Sequence, residues 1–238
     1  MLMSADLTAI FVFSIIVTLY FAVANVAQIL MGIAATAFQQ RHQRQHTRRA
    51  RSLAGMLFRP PLISIVVPAY NEALTIVESI RALLALEYEQ REIVIVNDGS
   101  TDETMARLKE AFHLLPPLLA YVQPIPSEAV RGLYRSASEP EIVAIDKDSG
   151  RSKADASNAG INPASGALVL IIDADTVLEP DALNRAVIPF LEDPQTVGVG
   201  ANLGLTNGCR IQDGRVVHVA LPRNWFARFQ IIEYMRAF

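Results

Sequence analysis

The chain has 238 residues, which limits it to one or two domains. Its formal net charge of −3 gives no sign of nucleic-acid binding, because nucleic-acid-binding proteins usually carry a clear excess of positive charge. The single cysteine, Cys209, excludes an internal disulfide bond and fits a reducing compartment. The apolar fraction of 51% is slightly high for a soluble domain, and the excess lies at the N-terminus.

The N-terminal segment is apolar enough to cross a membrane. No charged residue occurs between Leu7 and Phe38, and a membrane span needs only about 20 apolar residues. We expect residues 1–40 to form one transmembrane helix that contacts membrane lipids in the inner or plasma membrane. A cleavable signal peptide is the alternative, because Ala22-Val23-Ala24 resembles a cleavage site. Against it, the segment before that site carries Asp6 and no Lys or Arg.

A basic segment, residues 41–59, follows the apolar one and is predicted to be a juxtamembrane linker. Its first arginines are Arg41, Arg44, Arg48, Arg49 and Arg51. Since basic residues beside a span mark the cytoplasmic side, we expect the N-terminus outside and the rest of the chain in the cytoplasm. A nucleic-acid-binding tail is the competing interpretation, and the position of the segment beside a span argues against it.

Residues 60–238 are predicted to form one α/β domain. Runs of β-branched and apolar residues predict buried strands of a parallel sheet at 62–67, 92–96 and 167–172. Further strands are predicted at 118–122 and 141–145, with a weak one after Arg131. Helices are predicted at 72–86, 102–112, 154–161, 180–191 and 223–238, and a hairpin at 211–216 around Asp213-Gly214. The last helix would carry an apolar face that meets a partner, a membrane surface or further chain.

Three of the predicted strands end in acidic residues. They lead into Pro68-Ala69-Tyr70-Asn71-Glu72, Asn97-Asp98-Gly99-Ser100-Thr101-Asp102 and Asp173-Ala174-Asp175-Thr176. In an open α/β sheet, ligands bind beyond the carboxyl ends of the strands. Like charges that converge there are costly unless a cation or a donor-rich ligand balances them. The sequence therefore predicts a metal and ligand site at this edge.

These motifs, with Lys153-Ala154-Asp155-Ala156-Ser157-Asn158-Ala159-Gly160 after the second, resemble those of the inverting glycosyltransferases of family 2, which adopt the GT-A fold. The preceding span is similar to that of membrane synthases of cellulose, hyaluronan, chitin or poly-N-acetylglucosamine. Asp146-Lys147-Asp148-Ser149-Gly150, which leads into Lys153, most resembles the poly-N-acetylglucosamine synthases. The resemblance implies a UDP-sugar donor (UDP-GlcNAc or UDP-glucose), a polysaccharide or lipid-linked acceptor, a divalent Mg²⁺ or Mn²⁺ cofactor, and other synthase subunits as further candidate partners.

The resemblance also implies roles for single residues. It assigns Pro68, Ala69, Tyr70 and Glu72 to a uridine pocket, Asp98 to the nucleotide base, Lys153 to the diphosphate, Asn158 to a helix beside the donor, Asp175 to the metal, and Asp173 to the donor with a metal contact, with Ala174 between them. At position 157 family members usually carry leucine, so Ser157 departs from the pattern of the family.

Each assignment has a structural alternative. Tyr70 can pack in the core, and Glu72 can be a first-turn helix residue. Asp98 can open the next helix through an Asx turn, a role that Asp102 can take instead. Lys153 can be a solvated surface lysine, and the turn at 173–175 can merely cap the following helix.

No general base, which an inverting transfer needs, is evident in the sequence. In this family the base is an aspartate well downstream of the metal motif. Glu192-Asp193 follows that motif too closely and is interpreted as a helix end before Pro194. The helix pattern continues to Phe238 without a cap, and no Gln-x-x-Arg-Trp segment is present. We therefore expect the base beyond Phe238 and a chain that binds donor but transfers poorly alone.

Three other functions are considered. A glycosyltransferase that makes a single transfer to a lipid-phosphate acceptor would use the same motifs. A catalytically inactive, membrane-anchored subunit that binds a nucleotide sugar would also lack a base. A nucleotidyltransferase usually has a Gly-rich, basic loop after its first strand, and the sequence from Pro68 to Glu72 offers none.

Overall fold

The computed structural model describes residues 2–53, 60–116, 122–201, 208–212 and 215–237. They form two units, an N-terminal helix and an α/β domain. The N-terminal helix, α1, runs from Leu2–Leu53 and so includes much of the predicted linker. Within it, Ile10–Ala35 has a mean hydropathy of 2.3 and exposes its apolar side chains. This segment is long and apolar enough to span a membrane.

The α/β domain is built on a five-stranded sheet of order β3-β4-β2-β1-β5. The strands are β1 (Ile63–Ala69), β2 (Arg91–Asp98), β3 (Val130–Arg135), β4 (Ile142–Lys147) and β5 (Leu168–Ile171). All pairs are parallel except β3 with β4. From β1 the chain adds β2 beside it, then the edge strand β3 and, between β2 and β3, the strand β4, before it returns to the other side of β1 to form β5. The carboxyl ends of β1 and β5 therefore form the topological switch point, where ligands bind in such sheets.

Five helices and a hairpin complete the described part of the domain. The helices are α2 (Ile76–Leu84), α3 (Thr104–Ala111), α4 (Lys153–Ile161), α5 (Ala182–Glu192) and α6 (Trp225–Ala237), and the hairpin strands are β6 (Arg210–Gln212) and β7 (Arg215–His218). One face of the sheet packs on α2, α3 and α5 through the residues Ile65, Val67, Ile93, Ile95, Ile76, Ile80, Leu108, Leu183 and Val187. The other face packs on α4 through Val66, Val94, Val96, Ile145, Ala156 and Ala159.

The register brings the strand ends to one edge. Ala69 pairs with Asn97 in β2, and Asp98 pairs with Lys147 in β4. On the other side of β1, Val66 pairs with Ile171, so the acidic turn after β5 begins beside the end of β1. The carboxyl ends of four parallel strands thus place the predicted acidic motifs along a single rim.

The predicted fold class, a mostly parallel α/β sheet with flanking helices, is confirmed, and the weak strand after Arg131 is β3. The hairpin strands form as predicted, although the turn at 213–214 lies outside the described residues, as does most of the strand predicted at 118–122. The start predicted for α2 is wrong, because the helix begins at Ile76 and not at Glu72. The N–H groups of Asn71, Glu72 and Ala73 donate to side chains that follow β2, and Asn71 has a left-handed φ of 57°.

Candidate functional site

The turn after β1 is bonded to the turn after β2. Asn71 donates its backbone N–H to Ser100 Oγ at 3.0 Å and accepts at Oδ1 from the backbone N–H of Thr101 at 2.8 Å. The backbone N–H of Glu72 donates to Thr104 Oγ1 at 2.9 Å. Asparagine tolerates the left-handed conformation that this exchange of bonds requires. Two motifs far apart in the sequence therefore form one continuous edge.

Asp102, and not Asp98, opens the helix after β2. Asp102 Oδ1 accepts from the backbone N–H of Thr104 at 2.9 Å, and Oδ2 accepts from the backbone N–H of Ala73 at 3.1 Å. The Thr104 hydroxyl and these N–H groups lower the pKa of the exposed Asp102 carboxyl. The alternative role considered for Asp98 is thus taken by Asp102, so helix capping does not explain the aspartate that ends β2.

The end of β1 is buried at Ala69, whereas the next residue, Tyr70, exposes its ring. Pro68 and Ala69 are the last two residues of the strand, and Ala69 is buried. Tyr70 is 53% exposed, which contradicts the alternative of core packing. Glu72 lies in the turn before α2, where its Oε2 accepts from Thr75 Oγ1 at 2.7 Å. Tyr70 and Glu72 therefore flank the rim from the β1 side.

A buried ion cluster lies at the end of β2. Lys147 Nζ, which is fully buried, lies 2.7 Å from Asp98 Oδ1 and 2.6 Å from Asp155 Oδ2. The contact with Asp98 is a hydrogen bond, whereas the contact with Asp155 is an ion pair without hydrogen-bond geometry. Burial opposes protonation of Lys147, but the carboxylates of Asp155 and Asp98 outweigh it and raise the pKa of the ammonium. The lysine is therefore charged at neutral pH.

Sequence reasoning missed this cluster. Lys147 and Asp155 were noted only as members of motifs, and neither was assigned to the site. The available signal was positional: Lys147 ends β4 directly opposite Asp98, which ends β2. Recognising it required the register of two strands that are not consecutive in the chain.

Lys153 and Asp173 form the other polar contact of the rim. Lys153 is the first residue of α4, and its Nζ lies 2.5 Å from Asp173 Oδ1. The two side chains are 54% and 59% exposed. Lys153 is thus solvent-accessible, as the surface alternative requires, but it is also paired with the acidic motif after β5. This contact joins two of the predicted motifs.

The turn after β5 presents two carboxylates to solvent. Asp173 and Asp175 are exposed, and the buried Ala174 lies between them. The backbone N–H of Thr176 donates to the Asp173 carbonyl at 3.0 Å, which closes the turn. Within the described ranges, no group of three or more His, Cys, Asp or Glu side chains is placed to hold a metal ion. From the described residues, this turn thus supplies two carboxylates, those of Asp173 and Asp175.

The remaining predicted residue of α4 makes a different contact. Asn158 donates from Nδ2 to the Pro126 carbonyl at 3.2 Å, so it ties α4 to the segment before β3. Ser157 donates its hydroxyl to the Lys153 carbonyl at 2.7 Å within the same helix. The serine found where family members usually carry leucine therefore leaves the start of α4 helical.

The chain matches the family model of Glycosyl transferase family 2 over residues 64–235. It belongs to this family. Over 145 residues, 61% of this chain, it is 32% identical to the poly-beta-1,6-N-acetyl-D-glucosamine synthase of Staphylococcus aureus strain COL. The match covers only 29% of the length of that relative. The resemblance to family 2 and to poly-N-acetylglucosamine synthases is thus confirmed.

Two solved structures are similar to part of this chain. The mannosyltransferase PcManGT of Pyrobaculum calidifontis, in complex with GDP-Man and Mn²⁺, matches 68% of this chain and 44% of its own, with 25% identity and a TM-score of 0.43. S. aureus TarS 1-349, in complex with UDP-GlcNAc, matches 55% of this chain and 31% of its own, with 21% identity and a TM-score of 0.40. Likeness at this level supports no inference about donor or metal.

Proposed function

We propose that this chain is the donor-binding part of a membrane-anchored, metal-dependent inverting glycosyltransferase that transfers a sugar from a UDP-sugar to a growing polysaccharide. The observation that carries the proposal is the single rim at the carboxyl ends of the strands, on which Asp98, Asp173, Asp175 and Lys153 lie. Membership of family 2 supports sugar transfer. The related S. aureus protein is named as a synthase of poly-N-acetylglucosamine, which favours UDP-GlcNAc over UDP-glucose as the donor.

The rim has acceptors and donors suited to the parts of such a donor. Asp98 would accept from the N–H of uracil, and the exposed ring of Tyr70 offers a surface on which the base can stack. Pro68, Ala69 and Glu72 would complete the uridine pocket from the end of β1. Lys153, a compact point charge, suits the diphosphate.

The turn after β5 fits a hard divalent cation. Mg²⁺ is commonly held by one or two carboxylates together with substrate phosphates, and not by an all-protein cage. Two exposed carboxylates, Asp173 and Asp175, supply that set, so Asp175 would hold the ion with Asp173 beside it. When bound, Mg²⁺ or Mn²⁺ would offset the negative charge that grows on the leaving diphosphate. We assign the general base to none of the described residues.

The N-terminal helix would anchor the protein in the inner or plasma membrane. Its apolar segment Ile10–Ala35 has the length of a span, and the arginines from Arg41 to Arg51 favour a cytoplasmic position for the α/β domain. The helix α6 exposes Trp225, Phe226 and Phe229, which suits contact with lipid or with other synthase subunits. The acceptor would be a polysaccharide or a lipid-linked sugar.

Thermal unfolding of the full chain in detergent tests the donor site. We expect UDP with Mn²⁺ or Mg²⁺ to raise the midpoint more than GDP or CDP does, since a ligand at a hundred times its Kd adds about 2.7 kcal/mol. Asp175→Asn should remove the metal-dependent part of the shift. The control Asp193→Asn, an exposed aspartate at the end of α5, should retain it. No shift with any nucleotide, from folded protein, would overturn the proposal.

Product analysis separates polymer synthesis from single transfer. The full chain is incubated with labelled UDP-GlcNAc or UDP-glucose and membranes that supply acceptors, and the products are sized on gels. Long products favour a polymer synthase, whereas a single added sugar favours transfer to a lipid-phosphate acceptor. The labelled donor that is consumed identifies the sugar.

A further inference from the structure

We propose that Lys147 is a positioning residue that holds Asp98 as an acceptor for the donor's base and thereby sets the preference for uracil. The inference rests on the proposed function, because it concerns the same site. It adds a residue that does not touch the donor and acts only through its neighbour.

The ammonium of Lys147 is enclosed by oxygens of the protein itself. Three oxygens surround Nζ: Asp98 Oδ1 at 2.7 Å, Asp155 Oδ2 at 2.6 Å and the Asp148 carbonyl at 2.5 Å. Asp98 Oδ1 and the Asp148 carbonyl accept hydrogen bonds from the ammonium, and Asp155 Oδ2 forms an ion pair with it. The side chain is also fully buried. Lys147 can therefore influence a donor only through the groups that it holds.

The bonds to Asp98 fix one oxygen of the carboxylate. Lys147 Nζ and the backbone N–H of Gly150, at 3.2 Å, both donate to Asp98 Oδ1. The side chain of Asp98 retains 10% exposure at the rim. A carboxylate anchored through one oxygen presents the other in a fixed direction, where it can accept from a base. Uracil offers an N–H at ring position 3, whereas cytosine has an acceptor nitrogen there, so a fixed acceptor favours uracil.

Lys147 also compensates two negative charges, one on the buried Asp98 and one on the partly buried Asp155. Asp98 and Asp155 approach the same ammonium from two elements, the end of β2 and the first turn of α4. Without the cation, the carboxylates of Asp98 and Asp155 would lie close together with no opposite charge between them, an arrangement that disfavours ionisation of both. A protonated Asp98 would present a hydroxyl donor as well as an acceptor. Loss of Lys147 should therefore weaken selection by the base even where the fold persists.

The same cluster couples the base end of the site to the phosphate end. Asp155 lies two positions after Lys153 in α4 and accepts at Oδ1 from the backbone N–H of Glu128 at 2.9 Å. Gly150 packs so closely on this carboxylate that a Cβ there would lie 2.1 Å from Asp155 Oδ2. The loop between β4 and α4 is thus held between Asp98 and Asp155. Movement of Lys147 would disturb both contacts.

Titration calorimetry of the full chain in detergent, with Mn²⁺, tests the inference through the dissociation constants of UDP and CDP. The variants are Lys147→Met, Asp98→Ala, the double variant and Asp155→Asn. We expect Lys147→Met to raise the dissociation constant of UDP at least tenfold and that of CDP much less, so that the preference for UDP over CDP falls. The double variant should bind UDP no more weakly than Asp98→Ala, because both changes remove the same contact. Asp155→Asn should keep the preference, since the pair of Lys147 with Asp98 remains.

Other outcomes overturn the inference in distinct ways. Losses that add in the double variant, or a Lys147→Met protein with wild-type preference, would show that Lys147 does not act through Asp98. Wild-type protein that binds no UDP would refute the proposed function together with the inference. If circular dichroism shows that Lys147→Met does not fold, the preference of Asp155→Asn for UDP over CDP tests the inference instead. A loss of preference there equal to that of Asp98→Ala would assign the effect to pocket integrity and reject a specific role for Lys147.

Discussion

Lys153 Nζ lies 2.5 Å from Asp173 Oδ1, so the first residue of α4 is joined to the turn after β5. Both side chains are more than half exposed, and such pairs contribute about 0.2–1 kcal/mol at most. The contact therefore matters more for the site than for stability. Under the proposed function, a diphosphate would compete for Lys153 and a cation would compete for Asp173.

Replacement of Lys153 by methionine should affect the two ligands in opposite directions. UDP in the presence of Mn²⁺ should bind about tenfold more weakly, because a charge-assisted phosphate contact is lost. Mn²⁺ alone should bind a few-fold more tightly, because the competing ammonium leaves Asp173. Calorimetry with each ligand measures both effects, and the unfolding midpoint should hardly change.

The control for this experiment is Lys109→Met. Lys109 lies on α3, where its ammonium is 4.8 Å from the ring centroid of Tyr134, and it belongs to no part of the rim. Both affinities should equal those of the wild type in this variant. If Lys153→Met weakened the binding of both Mn²⁺ and UDP, the ion pair between Lys153 and Asp173 would be supporting the turn after β5 and not competing with ligands.

The sheet and its acidic rim could be predicted because they depend on short segments. β1, β2 and β4 are buried on both faces, so their sequences are continuous apolar runs that show in any window. The start of α2 could not be predicted, because it depends on Asn71 meeting Ser100, a contact across 29 positions. The Lys147 cluster was missed for a related reason. A lysine is rarely fully buried, so nothing in the sequence marks Lys147 as a buried residue. Its place beside Asp98 follows only from the register of β2 and β4.

Glu92 is expected to make the fold sensitive to acid. At the amino end of β2 it accepts from Ser64 Oγ, from the backbone N–H and hydroxyl of Ser165 and from the backbone N–H of Gly166. Burial raises the pKa of Glu92, but these hydrogen bonds outweigh it and hold the pKa below its usual value. A lowered folded-state pKa adds stability above the unfolded-state value of about 4.3, and this stability is lost as the pH falls through the folded-state pKa.

Glu92→Gln should therefore lower stability at pH 7 by about 1–3 kcal/mol, because an N–H₂ group replaces an acceptor among donors. Its unfolding midpoint should fall less than that of the wild type between about pH 4.5 and 3. Thermal melts across this range measure both effects. Glu89→Gln, at an exposed position three residues earlier, should reproduce the wild-type curve. Equal acid slopes for Glu92→Gln and wild type would refute the assignment.

Ionisation of Tyr88 should account for part of the loss of folding stability at alkaline pH. Its hydroxyl donates to the Pro61 carbonyl at 2.6 Å, and burial raises its pKa to about 12. The unfolded tyrosine ionises near pH 10, so the stability that this group contributes is lost as the pH rises from about 10 towards 12. Tyr88→Phe should be less stable by about 1 kcal/mol at pH 7, and the difference from wild type should shrink between pH 9 and 11 in thermal melts. A constant difference would contradict this explanation.

Even the smallest substitution at Gly160, to alanine, should destabilise the fold. Glycine to alanine inside a helix usually stabilises by about 1 kcal/mol. Here a Cβ would lie 2.4 Å from Val66 Cγ1 and 2.9 Å from Val96 Cγ2, and forcing a methyl group into a packed core costs about 1–3 kcal/mol. We therefore expect Gly160→Ala to lower the unfolding midpoint, whereas Gly198→Ala, with open space around its Cβ position, should change it little.

The clash with Val66 can be separated from other causes by a second substitution. Val66→Ala alone should destabilise, because Val66 is fully buried in β1 and its removal leaves a cavity. In the double variant with Gly160→Ala, the new methyl group would occupy part of that cavity, so the double variant should be more stable than the sum of the two losses predicts. Thermal melts of the four proteins measure this coupling. Strictly additive losses would show that the cost of Gly160→Ala arises elsewhere than at the contact between α4 and β1.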